Sequence, residues 1–313
     1  MKQKIHLDTD LGGDIDDLCA LAYCLRHPDA ELIAVTTVAE HGGKRAGYVR
    51  HVLHLAGRED IPIAAGVEAR WQGYRFEQPL PNEQDYWRGE IPPYPTPPEH
   101  ALDLLEESIR QGVHIVAIGA YTHLAMLEAR QPGILAEARL TVMGGFVHPP
   151  RAGYPAWDFT ADWNAQVDAH SARVVFERGN PTLVPLAVTA ETALRHAHLP
   201  ALERTGALGE CIAHQARVFA HSEQLAERYL PECPALPADF INFQHDPLAC
   251  AAALNWTGLT FADLRLRVEV EQGWVRLVED PQGKFFRVAV GVDGEAFSMH
   301  WLETVCRSSP GLR

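Results

Sequence analysis

The chain has no CxxC pair, no zinc-ligand spacing, no basic tail and no apolar run long enough to cross a bilayer. Each absence removes a class of function. Its six cysteines (Cys19, Cys24, Cys211, Cys233, Cys250 and Cys306) are scattered. Several sit in apolar runs such as Leu18–Leu25, where a thiol behaves as a small hydrophobe. That pattern suits reduced thiols in a cytoplasmic protein rather than a disulfide framework or a zinc site. Lys and Arg number 27 against 41 Asp and Glu, a formal net charge of −14. An excess of negative charge speaks against a nucleic-acid partner and suits a small neutral or cationic ligand. Met1-Lys2-Gln3-Lys4-Ile5 has no signal-like apolar stretch, so no membrane association is expected. Internal repeats, low-complexity tracts and flexible linkers are also missing, and 1–313 reads as a single domain.

Ordinary globular composition, 47% hydrophobic and 22% charged, leaves ample material for a core. Strand-like apolar runs alternate with helix-like segments. Ile5–Thr9 leads into a helix from about Asp16 to Arg26, stopped by His27-Pro28 because the residue before proline avoids helical geometry. Leu32–Val38, Val113–Gly119, Leu140–Met143 and Thr182–Val188 read as further strands, with a helix through Val49–Leu55. This alternation predicts an α/β fold: an open, mostly parallel Rossmann-like sheet with helices on both faces. Leu208–Arg228 reads as one long helix ended by the Pro-rich Leu230–Pro237. Leu266–Val270, Trp274–Val278 and Phe285–Val292 predict a small C-terminal β-hairpin region, and a last helix falls near Glu295–Val305. The segment Glu68–Pro98 breaks the rhythm with seven prolines and the aromatics Trp71, Tyr74, Phe76, Tyr86, Trp87 and Tyr94. It reads as an ordered excursion, either folded over a planar ligand or spent on subunit contact.

What stands out is Asp8-Thr9-Asp10-Leu11-Gly12-Gly13-Asp14-Ile15-Asp16-Asp17, five carboxylates in ten residues at the end of an apolar strand. Helix capping accounts for one or two of them, Asp14 or Asp16 being natural caps. Five need a hard cation with oxygen ligands. Both Mg²⁺ and Ca²⁺ are candidates, and Ca²⁺ suits a site crowded with protein carboxylates. A second motif, His245-Asp246-Pro247, precedes the apolar run Leu248–Leu254. Asp246 there reads as an N-cap at a buried helix entrance, where an ionised carboxylate needs partners. Together the two motifs suggest metal-assisted hydrolysis, with the imidazole of His245 moving a proton. His51 with His54, and His196 with His198, read as solvated surface.

These residues, with Gly119-Ala120-Tyr121-Thr122-His123, Met143-Gly144-Gly145 and Ala161-Asp162-Trp163-Asn164, occur in the order found in nucleoside hydrolases. The chain resembles the inosine/uridine-preferring family over nearly its whole length. That resemblance implies Ca²⁺-dependent cleavage of the N-glycosidic bond of a ribonucleoside. Carried over residue by residue, Asp10, Asp17 and Asp246 match the carboxylate metal ligands, and Thr122 matches a backbone carbonyl ligand. Asp16 matches a ribose ligand, and Asp162 and Asn164 match the sugar-binding Glu and Asn. Asp246 also lies against the sugar, with Met143 and His41 as further substrate contacts. Asp8 matches an acidic position beside the metal, Asp10 the presumed general base, and His245 an imidazole near the leaving base. Lesser candidates for contact with the base are Trp71, Tyr74, Trp87, Trp163, His214, His221 and Tyr229.

The chain departs from the family's commoner pattern at several points. The acidic cluster is two residues longer, which leaves Asp14 able to exchange roles with Asp16. Glu40-His41 stands for Gly-Asn, Tyr121-Thr122-His123 for Leu-Thr-Asn, and Asp162 for Glu, so Glu40, His41 and Asp158 are open pocket positions. These changes bear on the substrate more than on the metal. The family forms dimers or tetramers, and a homo-oligomer is expected. Two other readings compete. The chain could bind a nucleoside and Ca²⁺ without turnover. Asp8-Thr9-Asp10 also imitates the strand end of a haloacid dehalogenase-type phosphatase, but no lysine motif follows the later strands.

Overall fold

The computed structural model describes residues 2–68, 74–76 and 79–307. Its framework is a nine-stranded sheet. The strands are β1 (Gln3–Thr9), β2 (Ala30–Thr37), β3 (Ile63–Ala65), β4 (His114–Ala117), β5 (Arg139–Met143) and β6 (Thr182–Val184). β7 (Ala193–Arg195) and β8 (Phe240–Phe243) form a separate antiparallel pair, and β9 (Leu259–Glu271), β10 (Trp274–Glu279) and β11 (Lys284–Val292) complete the main sheet. The spatial order is β10-β9-β11-β6-β5-β4-β1-β2-β3. The neighbours from β3 across to β6 are parallel, β11 joins β6 in parallel, and β9 pairs antiparallel with β10 and β11. The C-terminal hairpin strands therefore extend the main sheet. The chain builds outward from β1 to β3 and then returns to place β4 on the other side of β1. That reversal opens a crevice at the carboxyl ends of β1 and β4, where ligands bind in open α/β sheets.

Apolar side chains fill both faces. Helices Asp16–Arg26, Lys44–Leu55, Ala207–Glu223, His245–Ala253 and Gly294–Val305 cover one side. Helices Pro98–Arg110, Thr122–Arg130 and Ala169–Arg178 cover the other. The alternation of a strand sorts β1 between them: Ile5 and Leu7 enter the first core, whereas His6 and Asp8 turn to the second layer. Among the described residues, no helix is long and apolar enough to cross a membrane.

Three expectations are corrected. The strand expected over Thr182–Val188 stops at Val184, because Pro185 has no N–H for a ladder and Leu186–Thr189 coils into a helical turn. The long helix expected over Leu208–Arg228 is broken at Gln224, whose φ of 50° lies in the left-handed region, giving Ala207–Glu223 and Leu225–Tyr229. His198 is not surface: it is 2% exposed, packs on Trp301, and its Nδ1 accepts the Arg195 N–H at 3.3 Å.

Burial, with the Arg195 charge adding to it, lowers the basicity of His198 to about 4. The unfolded chain therefore binds this proton first, near the ordinary histidine value of 6.5. Stability is intact above pH 6.5 and is lost as pH falls from 6.5 toward 4, by about 1.4 kcal/mol per pH unit for this group. His198→Asn keeps an acceptor for Arg195 and removes the titration. Urea unfolding at pH 7 and 5.5 is expected to show a smaller acid loss in the variant; parallel losses would refute the assignment.

Candidate active site

The two acidic motifs meet at the crevice. Asp10 follows β1, Asp16 and Asp17 open helix Asp16–Arg26, and Asp246 lies in the first turn of helix His245–Ala253. The two helices pack side by side. Their positive dipole ends therefore face the same carboxylates, which stabilises negative charge there. Oxygens of Asp16, Asp17 and Asp246 all lie within 4.8 Å of one another. The three side chains are buried, and burial together with repulsion from the other carboxylates of the cluster raises all three well above the ordinary carboxylate range. Burial raises Asp10 to about 6 against the lowering effect of Arg45. Little hydrogen bonding offsets this charge. Thr9 donates its hydroxyl to Asp17, and the Asp246 N–H donates to Asp16 at 3.4 Å. Such an all-oxygen donor set, short of positive charge, fits a hard dication.

The carboxylates form the floor of a cavity of about 390 Å³. Asp10, Asp14, Asp16, Asp17, Arg45, Met143, Trp163, Asn164, His245 and Asp246 line it. Asp10 sits against Gly119, where an added Cβ would come within 2.8 Å of Oδ1, so the β4 turn needs glycine at this approach. Asn164 spends its amide N–H groups on the carbonyls of Ile118 (3.0 Å) and Met143 (3.2 Å), joining the ends of β4 and β5. Nδ1 of His245 lies 2.6 Å from Thr189 Oγ1, and its ring stacks on Phe243 at 5.2 Å. Burial lowers this imidazole to about 3.

Several expected residues lie off the cavity wall. Asp162 is buried, and its carboxylate accepts the N–H groups of Gly145 (2.7 Å), Phe146 (3.1 Å) and Ala165 (3.5 Å). Asp8 faces the opposite layer, where it accepts from Thr36 (2.6 Å) and from Nδ1 of His123 (2.9 Å). The Val67 N–H donates to the other ring nitrogen of His123, which fixes that tautomer. Thr122 starts helix Thr122–Arg130 and donates its hydroxyl to Asp168 at 2.8 Å. His41 is exposed. Glu40 caps helix Lys44–Leu55 through the N–H groups of Arg45 and Ala46, and Asp158 caps a turn through Thr160. The N-cap reading of Asp246 is corrected: Gln244 holds that position, because the helix begins at His245.

Trp163 lines the cavity and His214 and His221 line an adjoining groove, whereas Tyr74, Trp87 and Tyr229 pack elsewhere. Trp71 lies outside the described residues. Two contributors escaped the sequence reading. Arg45 is 1% exposed and donates from Nε to the Ala39 carbonyl and from Nη1 to the Asp10 and Leu11 carbonyls, clamping the turns after β1 and β2. Asn242 donates Nδ2 to Asp14 Oδ1 at 2.5 Å. The signal for Arg45 was a basic residue inside a helix whose neighbours Ala46, Tyr48 and Val49 are apolar. Nothing local marked Asn242.

Comparison with known proteins agrees with this geometry. Residues 5–299 match the model of the inosine-uridine preferring nucleoside hydrolases. The pyrimidine-specific ribonucleoside hydrolase RihA of Shewanella sp. (strain MR-7) is 28% identical over 95% of this chain and 94% of its own length. For RihA of Shewanella sp. (strain ANA-3) identity is 33%, over 62% of each protein. Two solved structures share the fold with a TM-score of 0.77: a plant nucleoside hydrolase, PpNRh1, at 23% identity over 98% of this chain and 99% of its own, and a purine-preferring ribonucleoside hydrolase from Gardnerella vaginalis at 24% over 97% and 98%. With the carboxylate crevice at the sheet's switch point and a match running nearly end to end, the chain belongs to the inosine-uridine preferring nucleoside hydrolase family.

Proposed function

We propose that the chain is a Ca²⁺-dependent N-glycosyl hydrolase that splits a ribonucleoside into ribose and free base. The observation that carries this reading is the convergence of Asp16, Asp17 and Asp246 within 4.8 Å, on one cavity with Asp10, Asn164 and His245. Asp10, Asp17 and Asp246, with the carbonyl of Thr122, would hold the ion. When bound, Ca²⁺ supplies positive charge that binds ribose hydroxyls and acidifies a water. No other residue among those described donates a hydrogen bond to the Asp10 carboxylate, and it takes the proton of the attacking water. Asp16 accepts a ribose hydroxyl. Asn164, its N–H groups already spent on the backbone, offers its carbonyl oxygen to another. As the bond to the base breaks, positive charge develops on the ribosyl group, and the surrounding carboxylates stabilise it. The stacked, hydroxyl-anchored ring of His245, kept neutral by burial, serves the departing base through a ring N–H rather than as a charged acid.

Purified protein is expected to carry one divalent ion by elemental analysis and to lose reducing-sugar release after chelation, with Ca²⁺ restoring it. Asp10→Ala is expected to abolish hydrolysis. Protein free of divalent ions and indifferent to chelator would refute the metal. Release of ribose from any nucleoside separates this reading from binding without turnover.

His245 and Asp246 act at opposite ends of the glycosidic bond. His245→Ala is expected to slow natural nucleosides by about 10²-fold and to leave a nitrophenyl riboside, whose leaving group needs no proton, nearly unaffected. Asp246→Ala damages both substrates alike. Equal loss on both for His245→Ala would assign the ring to the sugar or the metal. The assembly is a homo-oligomer on this reading, to be checked by light scattering; a monomer mass at micromolar concentration would refute it.

A further inference from the structure

Beside the cavity lies a groove of about 1090 Å³ that the chemistry above leaves unused. It is walled by the 79–86 segment and by helix Ala207–Glu223, and it joins the cavity at Gly13, Asp14 and Pro79. Asp14 stands at this neck. It is exposed, is not one of the triad Asp16, Asp17 and Asp246, and hydrogen-bonds the Asp16 side chain from the rim. Its position is built: Asn242 donates to Oδ1 at 2.5 Å and the Asp16 N–H donates to the same oxygen at 3.3 Å. A carboxylate outside the triad, and in no salt bridge among the described residues, is thus held where the cavity opens.

The groove's charges leave that carboxylate unopposed. Arg217 is paired with Glu203 on the far side, and His214 donates Nε2 to the Asp85 carbonyl at 2.7 Å. Asp85 and Glu223 add two more acids, and among the described residues none of Asp14, Asp85 and Glu223 forms an ion pair. Asp14 lines both the cavity and the groove, so a base that lies toward the opening meets this carboxylate.

We propose that Asp14 is a specificity-determining residue that accepts a hydrogen bond from an exocyclic amino group of the leaving base. The preferred substrates are then amino-bearing nucleosides, cytidine over uridine and adenosine over inosine. The inference rests on the hydrolase reading above and narrows its substrate class. An amino N–H donates a charge-assisted hydrogen bond to a carboxylate. A keto oxygen in the same place sets acceptor against acceptor and leaves the carboxylate unpaired.

The test is kcat/KM for all four nucleosides with wild type and Asp14→Asn. Wild type is expected to favour the amino member of each pair by about tenfold or more, the scale of one hydrogen bond to a charged group. Asp14→Asn keeps an oxygen for Asn242 and presents an N–H to the base, so each ratio should fall by at least tenfold, toward or past one. Ratios cancel any general loss of activity. Wild type that cleaves both members of each pair equally overturns the proposal and leaves the hydrolase reading standing. Wild type that releases ribose from none of the four overturns both. Loss of all four activities alike in Asp14→Asn, with no change in ratio or none left to measure, makes Asp14 a structural or catalytic group and also overturns the proposal.

Discussion

Like charges held close together govern this structure. Two unit charges 4.8 Å apart at an effective dielectric constant of about 20 repel by roughly 3.5 kcal/mol. The three pairs among Asp16, Asp17 and Asp246 therefore oppose folding by roughly 10 kcal/mol when all are ionised, as much as the whole net stability of an ordinary domain. A protein carries such a cluster only if protons or a cation neutralise it. The raised carboxyl groups are the protonated solution, and a metal ion, as the family's metal dependence requires, would be the functional one. A metal that binds the folded site alone is also linked to folding, so it stabilises the fold as well as assisting the reaction.

The fold shares in holding the charge. Two helix N-termini face the carboxylates, and Arg45 stands behind them. Its guanidinium forms no ion pair among the described residues, and three backbone carbonyls from two turns satisfy it instead. A carboxylate partner would have cancelled its field. Bound to carbonyls, it keeps its full charge beside Asp10 and Asp17 and fixes the turn that carries Asp10. Buried charge is tolerated when it is hydrogen-bonded, and Arg45 spends Nε and Nη1 on backbone carbonyls.

Most of the architecture was legible because it rests on short-range rules. Continuous apolar strands alternating with helices give a parallel sheet. His27-Pro28 ends the first helix where expected, and the acidic motif lies at a strand end. What stayed hidden depends on contacts between distant segments. Between Leu208 and Arg228 the helical periodicity runs on past Gln224, so nothing in the local pattern marks the break there. His198 looked solvated because a dipeptide does not reveal that Trp301 will cover it. Within the site, the converging carboxylates could be read from residue type and crowding. Asp162 and Asp8 could not be placed that way. The same residue type also ties down backbone N–H groups and neighbouring side chains, and only the fold decides between the two uses.

β1 shows how the fold makes that decision. Its two-residue period sends Asp8 to one face, and because the strand ends at Thr9 the chain carries Asp10 beyond it into the crevice. Two acids separated by one residue thus take unrelated tasks. Asp8 ties Thr36 of β2 to His123, the histidine that follows Thr122 and also receives the Val67 N–H just beyond β3. Three strand ends are thereby locked together behind the site. The Asp10 carboxylate is left with no donor from another described residue, at the one place where the strand order reverses and backbone cannot fill the gap. A rear layer tied by hydrogen bonds across three strand ends permits an unsatisfied, charge-crowded front. The acids that hold the turns in place and the acids that face the substrate are drawn from the same short motif, and strand geometry divides them.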